Sequence, residues 1–474
     1  MDFDRNSEIP LYAQLVEHIK NLIRYGYMPV GKRVSVQRLA DEYKLTRGVV
    51  QYALDILKSE GYMEARPKVG TFVSANAWTV LADKAPDWRK YSERGHRKSS
   101  EELYLQISLR SKNPSINNVA SYGFYQPDFD PYGILGEAMN ILHKDNLVSG
   151  FNYNDSQGLP ELRGAICEHM KSYGITGTAD NVVVFNSWRE ACNAVIESFA
   201  SHGTNFYIAE HDMIGAMHTL SAVGANVYRL PTDSEGIDAN ALASKALGKT
   251  NNILCLNPVN HFPTGVTISD RRRAELLSVI RRLRIPVIEY DMVRDLWLSP
   301  PPAPLKADDS DEQIIYIGAL ANTHSTASKM AWIIAPSPTV MKLYDVKVQR
   351  SGTINALLET LTYLMLSRGL YQEYMKQIRY RLPKRINAIK EILNHYLTDI
   401  ATWDEKTLLY HIWITFPNHI NAIQLFLDCP DVYFVPGLAY HHNSAILLNA
   451  VCSSVEAFET AVQKIAQAVK LQTK

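Results

Sequence analysis

The sequence predicts a two-part α/β chain: a small helical domain closed by a hairpin, then a larger body of short buried strands alternating with helices. Three observations predict it. Residues 1–73 hold three amphipathic segments in a row, followed by two short alternating stretches joined through a glycine. Between about residues 182 and 317, apolar bursts recur with helical patterns between most of them, which predicts a mostly parallel sheet covered by helices on both faces. From about Met341 the chain opens with long helices and ends in strands and a closing helix, a second and smaller lobe. With 474 residues, 46% of them hydrophobic, two or three domains are expected.

In the first domain, Leu11, Leu15, Ile19, Leu22 and Ile23 recur at helical spacing and the helix closes near Gly26 and Pro29. Ser35 is placed to cap a second helix carrying Leu39, Ala40 and Tyr43, and Thr46 to cap a third carrying Val49, Val50, Ala53, Leu54 and Leu57. Lys44-Leu45 is the tight turn between them. This is a winged helix-turn-helix, with Tyr62–Ala65 and Thr71–Val73 as strands and Arg66-Pro67-Lys68-Val69-Gly70 as a basic wing. Double-stranded DNA is therefore the expected partner. The third helix would enter the major groove, presenting Thr46, Arg47, Gly48 and Gln51; Arg47 can pair with a guanine edge or a phosphate, and Gln51 with an adenine edge. Ser35, Gln37, Lys68 and Gly70 complete the expected DNA-binding set. Charge alone would not suggest it, since residues 1–75 carry 11 Lys+Arg against 9 Asp+Glu, and a second copy would help affinity.

The segment resembles the GntR family of bacterial regulators through Lys32-Arg33-Val34-Ser35, Leu39-Ala40, Thr46-Arg47, Ala53-Leu54, Glu60-Gly61 and Val69-Gly70-Thr71-Phe72-Val73. It departs where that family has Pro and Arg around the second helix, here Val34 and Gln37, and where a recognition-helix Arg becomes Gln51. The operator sequence does not carry over.

Residues 76–116 read as a basic linker, with 8 Lys+Arg against 5 Asp+Glu in residues 76–115. Trp88, Tyr91, Leu103 and Tyr104 suggest partial docking. No apolar run approaches the ~18 residues of a membrane span, and the N-terminus lacks a signal peptide's apolar region, so a cytoplasmic location and no membrane partner are expected. Cys167, Cys192, Cys255, Cys429 and Cys452 show no C-x-x-C spacing and read as buried free thiols. His441-His442 reads as a loop pair, and no metal site is expected.

The body is divided at 117–340 for the large domain and 341–474 for the small lobe. Val182–Phe185, Asn205–Ala209, Val227–Leu230, Ile253–Leu256, Pro286–Glu289 and Ile314–Ile317 read as its buried strands, with further strands near Leu408–Ile414, Tyr433–Val435 and Ile446–Leu448. The motif order in Tyr153–Arg163, His261-Phe262-Pro263-Thr264-Gly265, Ile285–Glu289, Tyr316-Ile317-Gly318 and Trp332–Pro336 resembles the fold-type I aminotransferases, whose large and small domains bind pyridoxal phosphate (PLP). Joined to the reader, the whole chain looks like the MocR branch of GntR regulators, which implies a head-to-tail homodimer.

The chemistry departs from that resemblance. A Schiff base with PLP needs a lysine amine. Counting from Gly318, Asn322 stands at the lysine position, and Lys329 matches the later Arg that holds the cofactor phosphate; using Lys329 for the Schiff base would need a shifted register. Tyr290 stands where an acid would protonate the pyridine nitrogen, Asp291 points to the other face, Met292 replaces a tyrosine, and Leu447 replaces the Arg that would hold a substrate carboxylate. Glu210–Gly215 is shortened where an aromatic would stack. Asn186, Ser187 and Trp188 at a helix N-terminus could still hold an anion. No covalent cofactor and no catalytic residue is therefore expected. The body is expected to dimerise and to offer a pocket for a small-molecule effector, lined by Asn186, Ser187, Trp188, Asn257, His261, Tyr290, Asn322, His324 and Lys329. A PLP-responsive regulator, or an aminotransferase fused to a DNA reader, through Lys329 or non-covalent PLP, is the alternative.

Overall fold

The computed structural model describes all residues except 1–2, 6, 8, 78–79, 81–101, 121–127, 130–131, 146–154, 213–216, 321–329, 351–353, 408–409 and 473–474. The chain divides into two compact units, Met1–Lys98 and Ser99–Lys474.

The first unit runs α1 (Leu11–Arg24), β1 (Arg33–Val34), α2 (Val36–Tyr43), α3 (Arg47–Ser59), β2 (Met63–Arg66) and β3 (Gly70–Val73). Leu15, Ile19 and Ile23 of α1 and Val50, Ala53, Leu54 and Leu57 of α3 are buried together, as their helical spacing predicts. Both predicted caps form: Ser35 Oγ accepts from Arg38 N and Thr46 Oγ1 from Val49 N, each at 3.4 Å. Lys44 ends α2 in the left-handed conformation, φ 53°. The two-residue β1, which the pattern did not reveal, pairs antiparallel with β3 and makes the wing a three-stranded sheet.

The second unit begins with α4 (Glu102–Lys112), β4 (Asn117–Asn118), α5 (Tyr132–Lys144) and α6 (Pro160–Lys171). Its central part runs β5 (Val182–Phe185), α7 (Trp188–Phe199), β6 (Asn205–Ala209), α8 (Met217–Ala222), β7 (Asn226–Leu230), β8 (Thr232–Asp233), β9 (Gly236–Ile237), α9 (Ala239–Ala246), β10 (Asn252–Leu256), α10 (Asp270–Leu283), β11 (Val287–Asp291), β12 (Ile314–Ala319) and β13 (Ala331–Ile334). It continues through α11 (Ser337–Arg350), α12 (Ala356–Ser367) and α13 (Leu370–Leu397) to β14 (His411–Thr415), α14 (Ala422–Asp428), β15 (Val432–Tyr433), β16 (Val435–Pro436), β17 (Ala445–Asn449) and α15 (Val455–Gln472).

All six runs read as strands in the large domain are strands. They lie in a seven-stranded sheet of order β5-β13-β12-β11-β10-β6-β7, parallel throughout except for β13, which is antiparallel to both neighbours. Because β5, β6, β10 and β11 run the same way, their carboxyl ends lie along one edge, where Asn186, Glu210–Asp212, Asn257 and Tyr290 begin or end loops. Side chains alternate along β11: Ile288 and Tyr290 pack with the α7 and α11 layer, whereas Val287 packs on the opposite face.

Packing moves the domain boundaries read from the sequence. The end of the stretch read as a linker is helix α4, whose Arg110 lies 3.8 Å over the Phe426 ring, and β4 pairs parallel with β15. Residues 102–118 thus belong to the body and join the small lobe, instead of ending a linker at 116. The boundary at 340/341 falls inside α11, whose Val340 and Leu343 pack with the large-domain core. The predicted Tyr433–Val435 strand is two strands: β15 goes to β4, and β16 pairs with β17. Leu408 and Leu409 lie outside the described residues. Four of the five thiols are buried, but Cys452 is only half-buried. No described helix is long and apolar enough to cross a membrane.

Candidate functional site

In the first unit, Thr46, Arg47 and Gly48 stand exposed at the N-terminus of α3, and open space surrounds Gly48. Gln51 lies one turn on, also exposed, with its amide donating to Asp55 Oδ1 at 2.9 Å, so pairing with a base would exchange that bond. Gln37 is held in the same way by both oxygens of Asp41, at 2.8 and 2.9 Å. Lys68 occupies the wing turn at φ 62° and is exposed. Gly70 sits at φ 132°, a conformation that side chains strain to adopt, and a Cβ there would also crowd the Arg33 side chain at 3.1 Å. Arg66 leans over the Phe72 ring at 4.5 Å and pairs with Glu64, which leaves Lys68 as the wing's projecting cation. Charged and polar groups at a helix start and a hairpin tip suit the grooves and phosphates of a duplex.

In the body, the described members of the expected pocket, Asn186, Ser187, Trp188, Asn257, His261 and Tyr290, lie at the strand ends, but many already bond one another. Ser187 caps α7, its Oγ accepting from Glu190 N at 3.2 Å, and the Glu190 carboxylate accepts from Asn186 N at 3.2 Å. The helix start that would attract an anion thus holds a carboxylate of its own. Sequence reasoning passes over Glu190, although Ser187-x-x-Glu190 has capping-box spacing.

The Trp188 ring packs 5.4 Å from that of Tyr290, tilted by 54°. The Tyr290 hydroxyl donates to Asp212 Oδ2 at 2.6 Å in a fully buried pair. Burial pushes the phenol well above its usual range, and the Asp212 charge pushes it further, so Tyr290 remains a donor. No local pattern marked Asp212, which is brought in by β6. His261 Nδ1 meets Thr264 Oγ1 at 2.8 Å, and its Nε2 faces Asp212 Oδ2 at 3.9 Å. Asp212 Oδ1, His261 Nε2 and Trp188 Nε1 are buried with no hydrogen-bond partner among the described residues.

Asn257 is a loop fastener: its amide donates to Val259 O and Tyr290 O, and its oxygen accepts from Phe262 N, all at 3.0 Å. Gly265 turns this loop at φ 73°, where a Cβ would meet Thr407 at 2.9 Å. Asp291 does point to the other face, where it pairs with Arg294. In the shortened segment, His211 stacks on Trp413 at 5.8 Å. Leu447 is buried in β17, opposite Trp413 and Val435. Asn322, His324 and Lys329 lie outside the described residues. Lys347 is buried behind β5, where it donates to Val184 O at 2.6 Å and to Ser156 O; desolvation lowers it to about 8, and those carbonyls commit its amine to the fold. Among the described residues, no group of His, Cys, Asp or Glu could hold a metal ion.

Comparison with known proteins fits this division. Residues 11–73 match the model of bacterial regulatory proteins of the gntR family, and residues 141–449 that of aminotransferase class I and II. The chain is 28% identical over 473 residues to the HTH-type transcriptional regulator YisV of Bacillus subtilis, covering 98% of this chain and 97% of that one. It is 24% identical over 442 residues to the HTH-type transcriptional regulator NorG of Staphylococcus aureus, covering 92% of this chain and 99% of that one. Among solved structures, the body resembles a kynurenine aminotransferase of Pyrococcus horikoshii, with a TM-score of 0.76, 20% identity, and coverage of 82% of this chain and 99% of that one. It also resembles the α-aminoadipate aminotransferase LysN of Thermus thermophilus, with a TM-score of 0.72, 19% identity and the same coverage.

Proposed function

The chain belongs to the aminotransferase class I and II family and carries a gntR-type helix-turn-helix domain ahead of that body, the MocR-like architecture, and on this basis we propose that it is a DNA-binding transcription regulator whose body works as a dimerisation and effector domain without covalent PLP. The relatives' names support the regulator reading. The observation that carries the absence of covalent PLP is the Tyr290–Asp212 bond: a phenol occupies the position of the ring-nitrogen acid, and its hydroxyl is already spent on a carboxylate of the protein.

Two further features point the same way. A cofactor phosphate at the α7 start would meet the Glu190 carboxylate, and Trp188 fills space beside Tyr290. Both features support the reading that PLP is not held covalently here. Signalling then requires an effector that favours one arrangement of two DNA-bound readers over another, because only differential affinity shifts such an equilibrium. The orphaned atoms of Asp212, His261 and Trp188 are the polar groups such an effector could satisfy.

The test is an absorption spectrum of the purified full-length chain with added PLP, alongside binding to its own promoter DNA. We expect no Schiff-base band and retained specific DNA binding. A band that disappears in Lys329→Ala would overturn the non-PLP reading. Binding to promoter DNA no tighter than to random duplex would overturn the regulator.

A further inference from the structure

A second constellation lies just beyond the carboxyl end of β11 and has no part in the function proposed above. The chain leaving β11, the C-terminal half of α6 with its following turn, and the helices α12 and α13 surround a cleft of about 920 Å³. Its floor is Asp295, 6% exposed. That carboxylate accepts from the hydroxyls of Tyr173 and of Tyr371, the latter at 2.5 Å, and faces His169 Nε2 at 3.6 Å. The floor's charge is thus met from within and asks no cation of a ligand.

Two guanidinium groups line the same cleft with donors to spare. Arg379 makes one hydrogen bond among the described residues, from its NH1 to Asp295 O at 2.9 Å, and lies 4.8 Å over the Trp297 ring. Arg294, 4% exposed, pairs through Nε with Asp291, donates through NH1 to Pro302 O at 2.7 Å, and has no partner for its buried NH2 among the described residues. Flat and apolar groups complete the walls, among them Tyr363, Leu366 and Met375. The acidic side chains at the rim are exposed, and Glu168 pairs with Lys171 at 2.6 Å.

We propose that this cleft is a second small-molecule site that takes a planar aromatic carboxylate, its anion on the Arg379 guanidinium edge and its ring along Trp297 and Tyr173. A planar guanidinium already stacked on an indole presents a preoriented pair of N–H groups, the geometry that receives a carboxylate, and aromatic walls favour a flat ligand of matching size. Volume and unspent donors coincide here beside two rings that each carry a guanidinium on one face, Arg379 on Trp297 and Arg294 on Tyr173 at 5.6 Å, which leaves the opposite faces for a ligand, whereas the Tyr290 region bonds mainly to itself. Arg294 ties the cleft to Asp291, the residue after Tyr290 in β11, so both sites rest on one strand.

The experiment titrates the full-length chain calorimetrically with naphthalene-2-carboxylate and with its neutral carboxamide. The proposal expects saturable carboxylate binding, weakened about tenfold by conversion to the carboxamide and by Arg379→Gln. Trp297→Leu should weaken both probes, and Asp212→Asn at the other site should leave carboxylate binding unchanged. Absence of saturable binding up to about 1 mM would overturn the proposal. So would equal binding of carboxylate and carboxamide, binding indifferent to both cleft variants, or loss of binding in Asp212→Asn.

Discussion

Replacing Tyr290 with phenylalanine tests whether this site is closed on itself. The hydroxyl donates at 2.6 Å to a carboxylate with no solvent exposure, whose other oxygen has no partner among the described residues and which His261 Nε2 faces at 3.9 Å. Tyr290→Phe would keep the ring packing against Trp188 but strand the Asp212 charge. A hydrogen bond to a charged group contributes about 1.5–3 kcal/mol, and a buried charge deprived of its partner costs about 3–5 kcal/mol, so a loss of roughly 2–4 kcal/mol is expected. Urea unfolding of the full-length chain, followed by tryptophan fluorescence and far-UV circular dichroism, would read it as a lower midpoint of the body's transition at unchanged slope. Asp212→Asn removes the charge, so the double variant should cost less than the sum of the single ones, with a coupling of about 1 kcal/mol or more. If Tyr290→Phe stays within about 0.5 kcal/mol of the parent, or the costs simply add, the pair is not a structural bond and the argument against a cofactor at this position loses its main support.

In the reader, Arg47→Ala should weaken specific DNA binding by about 1–3 kcal/mol if its guanidinium meets a base, whereas Lys68→Ala should weaken specific and non-specific duplex alike and lower the salt slope by about 1. Unchanged affinity and an unchanged slope in quantitative gel-shift titrations would count against both assignments. Burial lowers His411 from 6.5 to about 3, so the unfolded chain takes up its proton first, and stability should fall by about 1.4 kcal/mol per unit as pH drops below 6.5 toward 3. Burial raises Glu289 from 4.5 to about 7, against its bonds to Leu305 N and Lys306 N, and this contribution has the opposite sign. It is fully present below 4.5 and is lost as pH rises through 7. The two oppose each other between 4.5 and 6.5. Stability-against-pH curves should therefore lose their acid fall in His411→Phe and steepen in Glu289→Gln, and parallel curves for either variant would refute its assignment.

The reader was legible because its signals are local. Ser35 and Thr46 precede helical periodicity and cap, a short polar turn at Lys44 permits the left-handed residue, and the alternation on either side of Lys68 makes strands. β1 was not legible, since two residues form a strand only because Thr71 and Phe72 lie opposite them. In the body, the apolar runs declared the strands because both faces of the sheet are buried, and a run such as Val182–Phe185 has few other uses. Domain and lobe boundaries are less legible, because a helix such as α4 or α11 carries its own periodicity but not the identity of the surface it packs on.

Sequence by itself determined that a reader precedes an aminotransferase-like body, while the placing of Tyr290 and Leu447 where that fold's chemistry asks for other side chains is what the resemblance implies. What those substitutions do was decided only by tertiary structure. Asp212, which answers Tyr290, lies 78 residues away and meets it because parallel strands end along one edge. Glu190 closes a helix start by reaching back to Asn186, and the Asp295 cleft gathers its walls from residues 161 to 379. Hydrogen bonding and burial depend on distances in space, and a chain folded through crossovers brings together groups that no sequence window contains.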